Sequence, residues 1–158
     1  MLIKHLNRDE AEEIFVTVQN AAGETLSNGV FLCWSWLNAA SHGNAVVKPT
    51  TSGLGLFAGV LAHKQPSYAD LPSNSYGLLQ VYGVHGSVAH NIAGTSVSCA
   101  GQWLIPTNAL YSGQYDGNLL TGLGLEFATQ CHIVARGAFL MTNDLSGPGR
   151  AEAFVRAI

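Results

Sequence analysis

Charge is the scarcest resource in this chain. Only 11% of its 158 residues are Asp, Glu, Lys or Arg, against about 25% in an ordinary soluble domain. So little charge leaves too few groups to cover a conventionally solvated surface, and predicts that much of the exterior faces other protein. Seven Lys and Arg against ten Asp and Glu give a net charge of −3. No basic footprint is left to engage phosphates, which argues against nucleic acid as a partner. Long apolar runs are also missing. Nothing approaches the roughly 18 residues of a membrane span, and Met1 to Glu13 carries His5, Arg8, Asp9, Glu10, Glu12 and Glu13 in place of the apolar centre of a signal peptide. Cysteine is sparse: Cys33, Cys99 and Cys131 are widely spaced and odd in number. Each sits in an apolar run, which predicts buried free thiols made in a reducing cytoplasm.

What the chain does have is glycine, 18 residues of it, among short apolar runs separated by Asn, Ser and Thr. That pattern predicts an all-β fold rich in turns. The organising stretch is Tyr76 to Leu104. Leu78-Leu79-Gln80-Val81-Tyr82 reads as a strand. Gly83 and Gly86 then supply two places where a positive φ costs little, and a second run, Ser87 to Ile92, precedes Ala93-Gly94. The expectation is strand, kink, strand, turn, strand, with no helix.

Elsewhere, Met1 to Glu12 forms a polar arm ahead of a single β domain over 13–158. Asn7 to Glu13 reads either as one capped helical turn or as an unstructured arm. Ile14 to Gln19 alternates, with Ile14, Val16 and Val18 on one face and Phe15, Thr17 and Gln19 on the other, as a half-buried strand does. Val30 to Leu37 is strongly apolar, with Trp34 and Trp36 opposite Cys33 and Ser35. Val46-Val47 and Leu54 to Ala62 supply further strands. Two prolines make Lys64 to Ser75 a long exposed loop with no strand, and Pro106 to Asn118 reads as a second loop. Leu119 to Ala128, Cys131 to Arg136 and Ala138 to Met141 are further strand candidates. Asn143 to Gly149 is a turn cluster, and Ala151 to Ile158 alternates with Phe154, Arg156 and Ile158 on one side.

Two phrases recur. Asn20, Ala22, Gly23, Leu26 and Ser27 have counterparts 71 positions on in Asn91, Ala93, Gly94, Val97 and Ser98. Gly29, Phe31 and Leu32 match Gly101, Trp103 and Leu104 at 72, and Gly53 to Leu56 recurs as Gly122 to Leu125 at 69. Either two related halves close one domain, or hairpins reuse the same turn chemistry.

Reactive constellations are thin. Gly53-x-Gly55 and Gly122-x-Gly124 lack the third glycine and the helix of a dinucleotide fingerprint. His85 with His90, and Cys131 with His132, fall on opposite faces of a strand and do not chelate simply. Asp70, Asp116, Glu126 and Asp144 pair in no evident acid–base arrangement. The reading is of a non-enzymatic protein without metal or cofactor. Tyr68, Tyr111 and Tyr115, in loops, suit protein contacts, since tyrosine buries a large area and keeps a polar handle; packing over the ends of the β domain fits them equally.

The order of phrases resembles the head decoration, or cement, proteins of tailed bacteriophages. The matching pieces are the acidic opening with Ile14 to Asn20, Gly29 to Cys33, Lys48 to Thr51, Leu56 to Val60, Tyr76 to Gly83, Ala100 to Leu104 and Ala153 to Ile158. The resemblance implies an antiparallel β-barrel or jelly-roll-like β-sandwich that binds the capsid exterior of a virion. It would clamp subunits of the major capsid protein and associate with itself as a homotrimer or dimer. It carries no catalytic residues. The contacts expected are the arm (Met1, Leu2, Ile3, Lys4, His5, Leu6, Asn7, Arg8) and the loop residues Tyr68, Asp70, Leu71, Tyr111 and Tyr115. Two other classes fit the same composition: a tail or fibre-associated β domain, and a carbohydrate-binding sandwich with Trp34, Trp36 or Trp103 stacked on a sugar.

Overall fold

A computed structural model of the chain describes residues 12–35, 44–49, 56–62, 70–92, 100–101, 103–106, 113–115, 138–141 and 147–157; for 91–92, 105, 113–115 and 147–148 it describes the backbone alone. All the regular structure in these residues is β. The strands are β1 (Ile14–Asn20), β2 (Leu26–Ser27), β3 (Phe31–Trp34), β4 (Ala45–Val47), β5 (Phe57–Leu61), β6 (Asp70–Leu71), β7 (Tyr76–Ile92), β8 (Trp103–Pro106), β9 (Gly113–Tyr115), β10 (Ala138–Leu140) and β11 (Gly147–Arg156).

Five of them close a barrel. The circuit runs β1–β4–β3–β5–β7 and returns to β1. Every neighbouring pair is antiparallel except β1–β4, which is parallel at Gln19–Ala45. The barrel is therefore mixed, where a purely antiparallel one was expected. Its interior holds Val18, Leu32, Val46, Ala58, Leu61, Leu79 and Val81, with Leu26 and Leu71 of the short β2–β6 ribbon joining the same cluster. A fully buried Leu or Val contributes about 1.5–3 kcal/mol relative to exposure, so this filling is the principal stabilising term. At the barrel end, Asn20 is fully buried. Its amide donates to the Glu24 and Leu71 carbonyls at 2.8 and 2.9 Å, and its Oδ1 accepts from the Ala22 amide at 2.9 Å. One polar side chain thus ties β1, the following turn and β6 together without leaving a buried group unsatisfied.

The remaining pairings repeat that circuit. β7 pairs with β11, β11 with β10, β10 with β8, β8 with β9, and β9 returns to β7 through one parallel bridge at His90–Gly113. Strand for strand the order is the same, and the parallel pair falls at the same place. His90 lies 71 positions after Gln19. Gly29 and Gly101, both left-handed with φ of 80° and 87°, each stand two residues ahead of a strand, β3 or β8. This matched connectivity favours the reading of two related halves; the recurring phrases at 93–99, 53–55 and 122–125 lie outside the described residues.

β7 belongs to both halves. Its first part, Tyr76 to Tyr82, pairs with β1, and Tyr82 to Ile92 pairs with β11 along the same edge. The two short strands expected here are one strand of 17 residues, bent at Gly83. There φ is +105° and an added Cβ would lie 2.3 Å from the Glu12 carbonyl oxygen. The Gln80 side chain straps the bend, its Nε2 donating to the carbonyls of Tyr82 and Val84 at 3.2 and 3.1 Å. The halves pack through the outer side of β3 and β5. Phe31, Phe57 and Val60 enter a second core with Val88, Leu104, Ala138, Leu140, Ala151, Ala153 and Val155, Phe31 and Phe57 with ring centroids 5.3 Å apart.

Several boundaries differ from expectation. Asp70–Leu71 is a strand inside the segment read as loop, because Leu71 has a core position to fill. Gly113–Tyr115 likewise forms β9, held by β8. β11 begins at Gly147 within the expected turn cluster, Pro148 lying opposite Asn91. Ile14 is exposed, since a register shift between Ile14 and Phe15 turns it out of the face it would share with Val16 and Val18.

The bend gives a direct test. Gly83→Ala should lower unfolding free energy by about 3 kcal/mol in urea titrations, since a left-handed non-glycine residue and a backbone clash coincide. Gly86→Ala, whose Cβ meets nothing within 4 Å, should stay within about 0.5 kcal/mol of wild type.

Candidate interaction surface

Alternation along β1 and β7 sorts their side chains to the two sides of the barrel wall. Val16 and Val18 point inward, opposite Leu79 and Gly77. Phe15, Thr17 and Gln19 point outward, opposite Gln80, Leu78 and Tyr76. The outward set makes a strip along the wall without a single charge. Tyr76 is 62% exposed and Leu78 40%. Two large apolar side chains two residues apart on the solvent side of a strand form a surface suited to another protein. Sequence reading located this strand but overlooked its outer face. The available signal was a run with large apolar residues on both faces, Tyr76 and Leu78 on one and Leu79 and Val81 on the other.

Of the contacts expected from sequence, Asp70 is exposed on β6, at the barrel end that also carries Tyr76. Leu71 must be corrected: at 1% exposure it belongs to the core, pressed against Gly77, where an added Cβ would stand 2.8 Å from Leu71 Cδ2. Its side chain is unavailable to a partner. Tyr115 lies on β9, its backbone paired with Leu104, and its side chain is outside the described residues, as are Met1 to Arg8, Tyr68 and Tyr111.

Two hollows of about 240 Å³ lie where the halves meet. One is bordered by Lys48, which forms an ion pair with Glu24, and by Arg150. Arg150 donates to the Asn28 carbonyl and, at 3.3 Å, to the Ser87 carbonyl. It thereby clamps the turn before β3 onto β7. Gly29 lies under this clamp, where a Cβ would fall 1.9 Å from the Ser87 oxygen. The other hollow is bordered by Glu13, Gln80 and buried His85, whose Nδ1 accepts the Ser87 amide at 3.1 Å. The neutral ring therefore carries its proton on Nε2. Both hollows are shaped by groups holding the halves together. Among the described residues no three His, Cys, Asp or Glu side chains converge as metal ligands.

Of the tryptophans proposed as sugar platforms, two are among the described residues. Trp34 packs partly against the barrel core, and Trp36 lies outside the described residues. Trp103 meets Phe139 edge to face. Cys33 is buried on β3 and free; Cys99 and Cys131 lie outside the described residues.

Comparison with protein-family models finds no match, and comparison with curated proteins finds none either.

Burial pushes the Cys33 thiol up to about 12, whereas the unfolded thiol ionises near 9.0. The unfolded state therefore releases this proton first, and the contribution of Cys33 to stability is intact below pH 9 and lost between 9 and 12. In urea titrations across that range, Cys33→Ala should show a shallower decline than wild type. Parallel declines would place the titrating group elsewhere.

Proposed function

We propose that this protein is a structural component of a phage virion, a decoration protein that binds the outside of the expanded head and cements neighbouring major capsid protein subunits. The observation that carries the reading is the uncharged outer strip of β1 and β7, with Tyr76 and Leu78 exposed on a wall whose shape the closed barrel fixes. A cementing protein needs this combination. A rigid wall loses little entropy on docking, and an uncharged face loses little solvation. Contacts repeated over a lattice add through multivalency, so no single reactive group is required. The low overall charge and the resemblance of the sequence phrases support the same reading. The polar arm expected from the sequence, Met1 to Arg8, adds a further segment for contact with a neighbouring subunit.

Co-sedimentation with expanded heads lacking the protein tests this. Saturable binding at a ratio matched to the lattice is expected, with heads that resist heat better. Tyr76→Lys with Leu78→Lys should weaken binding about tenfold or more and leave the thermal unfolding midpoint nearly unchanged. Deletion of Met1 to Arg8 should weaken binding while the β domain stays folded. Absence of binding to heads, with binding to tails instead, would overturn the decoration role.

A further inference from the structure

In the first half, the cross-strand row Phe31, Val60 and Gln80 on the outer side of β3, β5 and β7 is fully buried, with Phe31 and Val60 covered by the second half. The matching row of the second half is Trp103, Phe139 and Phe154, on β8, β10 and β11. This row is less buried: all three are only half-buried, and Met141 beside them is 44% exposed. The row is also more aromatic than its counterpart. Phe139 and Phe154 stack at 5.0 Å and 16°. Trp103 meets Phe139 at 5.5 Å and 75°, and Tyr82 extends the row by meeting Phe154 at 5.0 Å and 85°. Because Phe139 and Phe154 turn ring faces toward each other, their edges form the surface. Stacking on a sugar needs a free flat face, so this ridge suits interdigitation with protein better. A hollow of about 630 Å³ opens between Tyr82, Phe139, Phe154 and Arg156.

We infer that this face binds the same face of a second copy of the chain. The reason is its charge pattern. Along β11, Glu152, Phe154 and Arg156 all point outward, and both charged residues are exposed. Neither forms an ion pair with another described residue. An isologous contact brings residue i of one copy onto j of the other and j onto i. A twofold axis through Phe154 therefore sets Glu152 of each copy against Arg156 of its partner, about 13 Å apart along each strand, and the two Phe154 rings fill each other's hollows. An acid, an aromatic and a base at i, i+2 and i+4 form a self-complementary set. This contact stands independently of the shell reading.

Sedimentation equilibrium of the purified protein, with no heads present, tests the inference. Wild type should dimerise at micromolar concentration. Glu152→Arg and Arg156→Glu are surface changes that leave the core intact, and each should weaken the dimer about tenfold or more by placing like charges together twice. The double variant E152R/R156E should recover most of the wild-type affinity. A monomeric or trimeric wild type would overturn the proposal, as would single variants that dimerise like wild type or a double variant no better than the singles.

Discussion

The bend of β7 at Gly83 is the constraint on which the rest depends. Before it, the strand closes a barrel with β1 and β5; after it, the strand founds a second sheet with β11. A straight strand of the same length would drive its second part away from the barrel, leaving Phe31, Phe57 and Val60 facing water. The bend is possible because residue 83 lacks a Cβ, and the Gln80 amide satisfies the carbonyls that the bend exposes. Further contacts then fix the angle between the halves: the Arg150 clamp, and the Ala89 amide bonded to the Gly29 carbonyl at 2.8 Å. Polar groups set the geometry at this junction, and apolar burial on either side stabilises it.

That arrangement explains how a chain so poor in charge can present distinct surfaces. The inner face of the first half is filled by its own residues, and that of the second half packs against Phe31, Phe57 and Val60 of the first. The outer face of the first half is divided between a part covered by the second half and a part, β1 with the start of β7, left open. Among the described residues, the outer face of the second half has no third unit to cover it. Two exposed surfaces of different character follow, one uncharged, the other aromatic with an acid and a base at fixed spacing. The proposed contact with a lattice and the inferred contact with a second copy would use different surfaces.

Much of the fold was legible in the sequence. Glycine frequency, period-two alternation and scarce charge pointed to an all-β protein, and the repeated Gly29-x-Phe31-Leu32 and Gly101-x-Trp103-Leu104 phrases marked equivalent strands. The alternation at Ala153 to Arg156 sorted faces correctly. Less visible were features that depend on distant partners. Leu71 reads as a loop residue between prolines until β2 is brought beside it. β9 is recognisable only once β8 is present. The parallel pair β1–β4 has no local signature, since it depends on the order in which strands enter the barrel. The exposed strip was missed for a related reason. Tyr76 and Leu78 look like core residues in a strand that is apolar on both faces, and only barrel closure decides which face is inside.

Electron cryomicroscopy of expanded heads with the protein added would show whether, and through which face, it sits on the shell. Extra density is expected at lattice-regular positions on the outer surface, with the Tyr76–Leu78 strip against capsid subunits and the Trp103–Phe154 face turned away from them. A bare shell, or copies seated on the shell through the aromatic face with Tyr76 and Leu78 in solvent, would contradict that expectation.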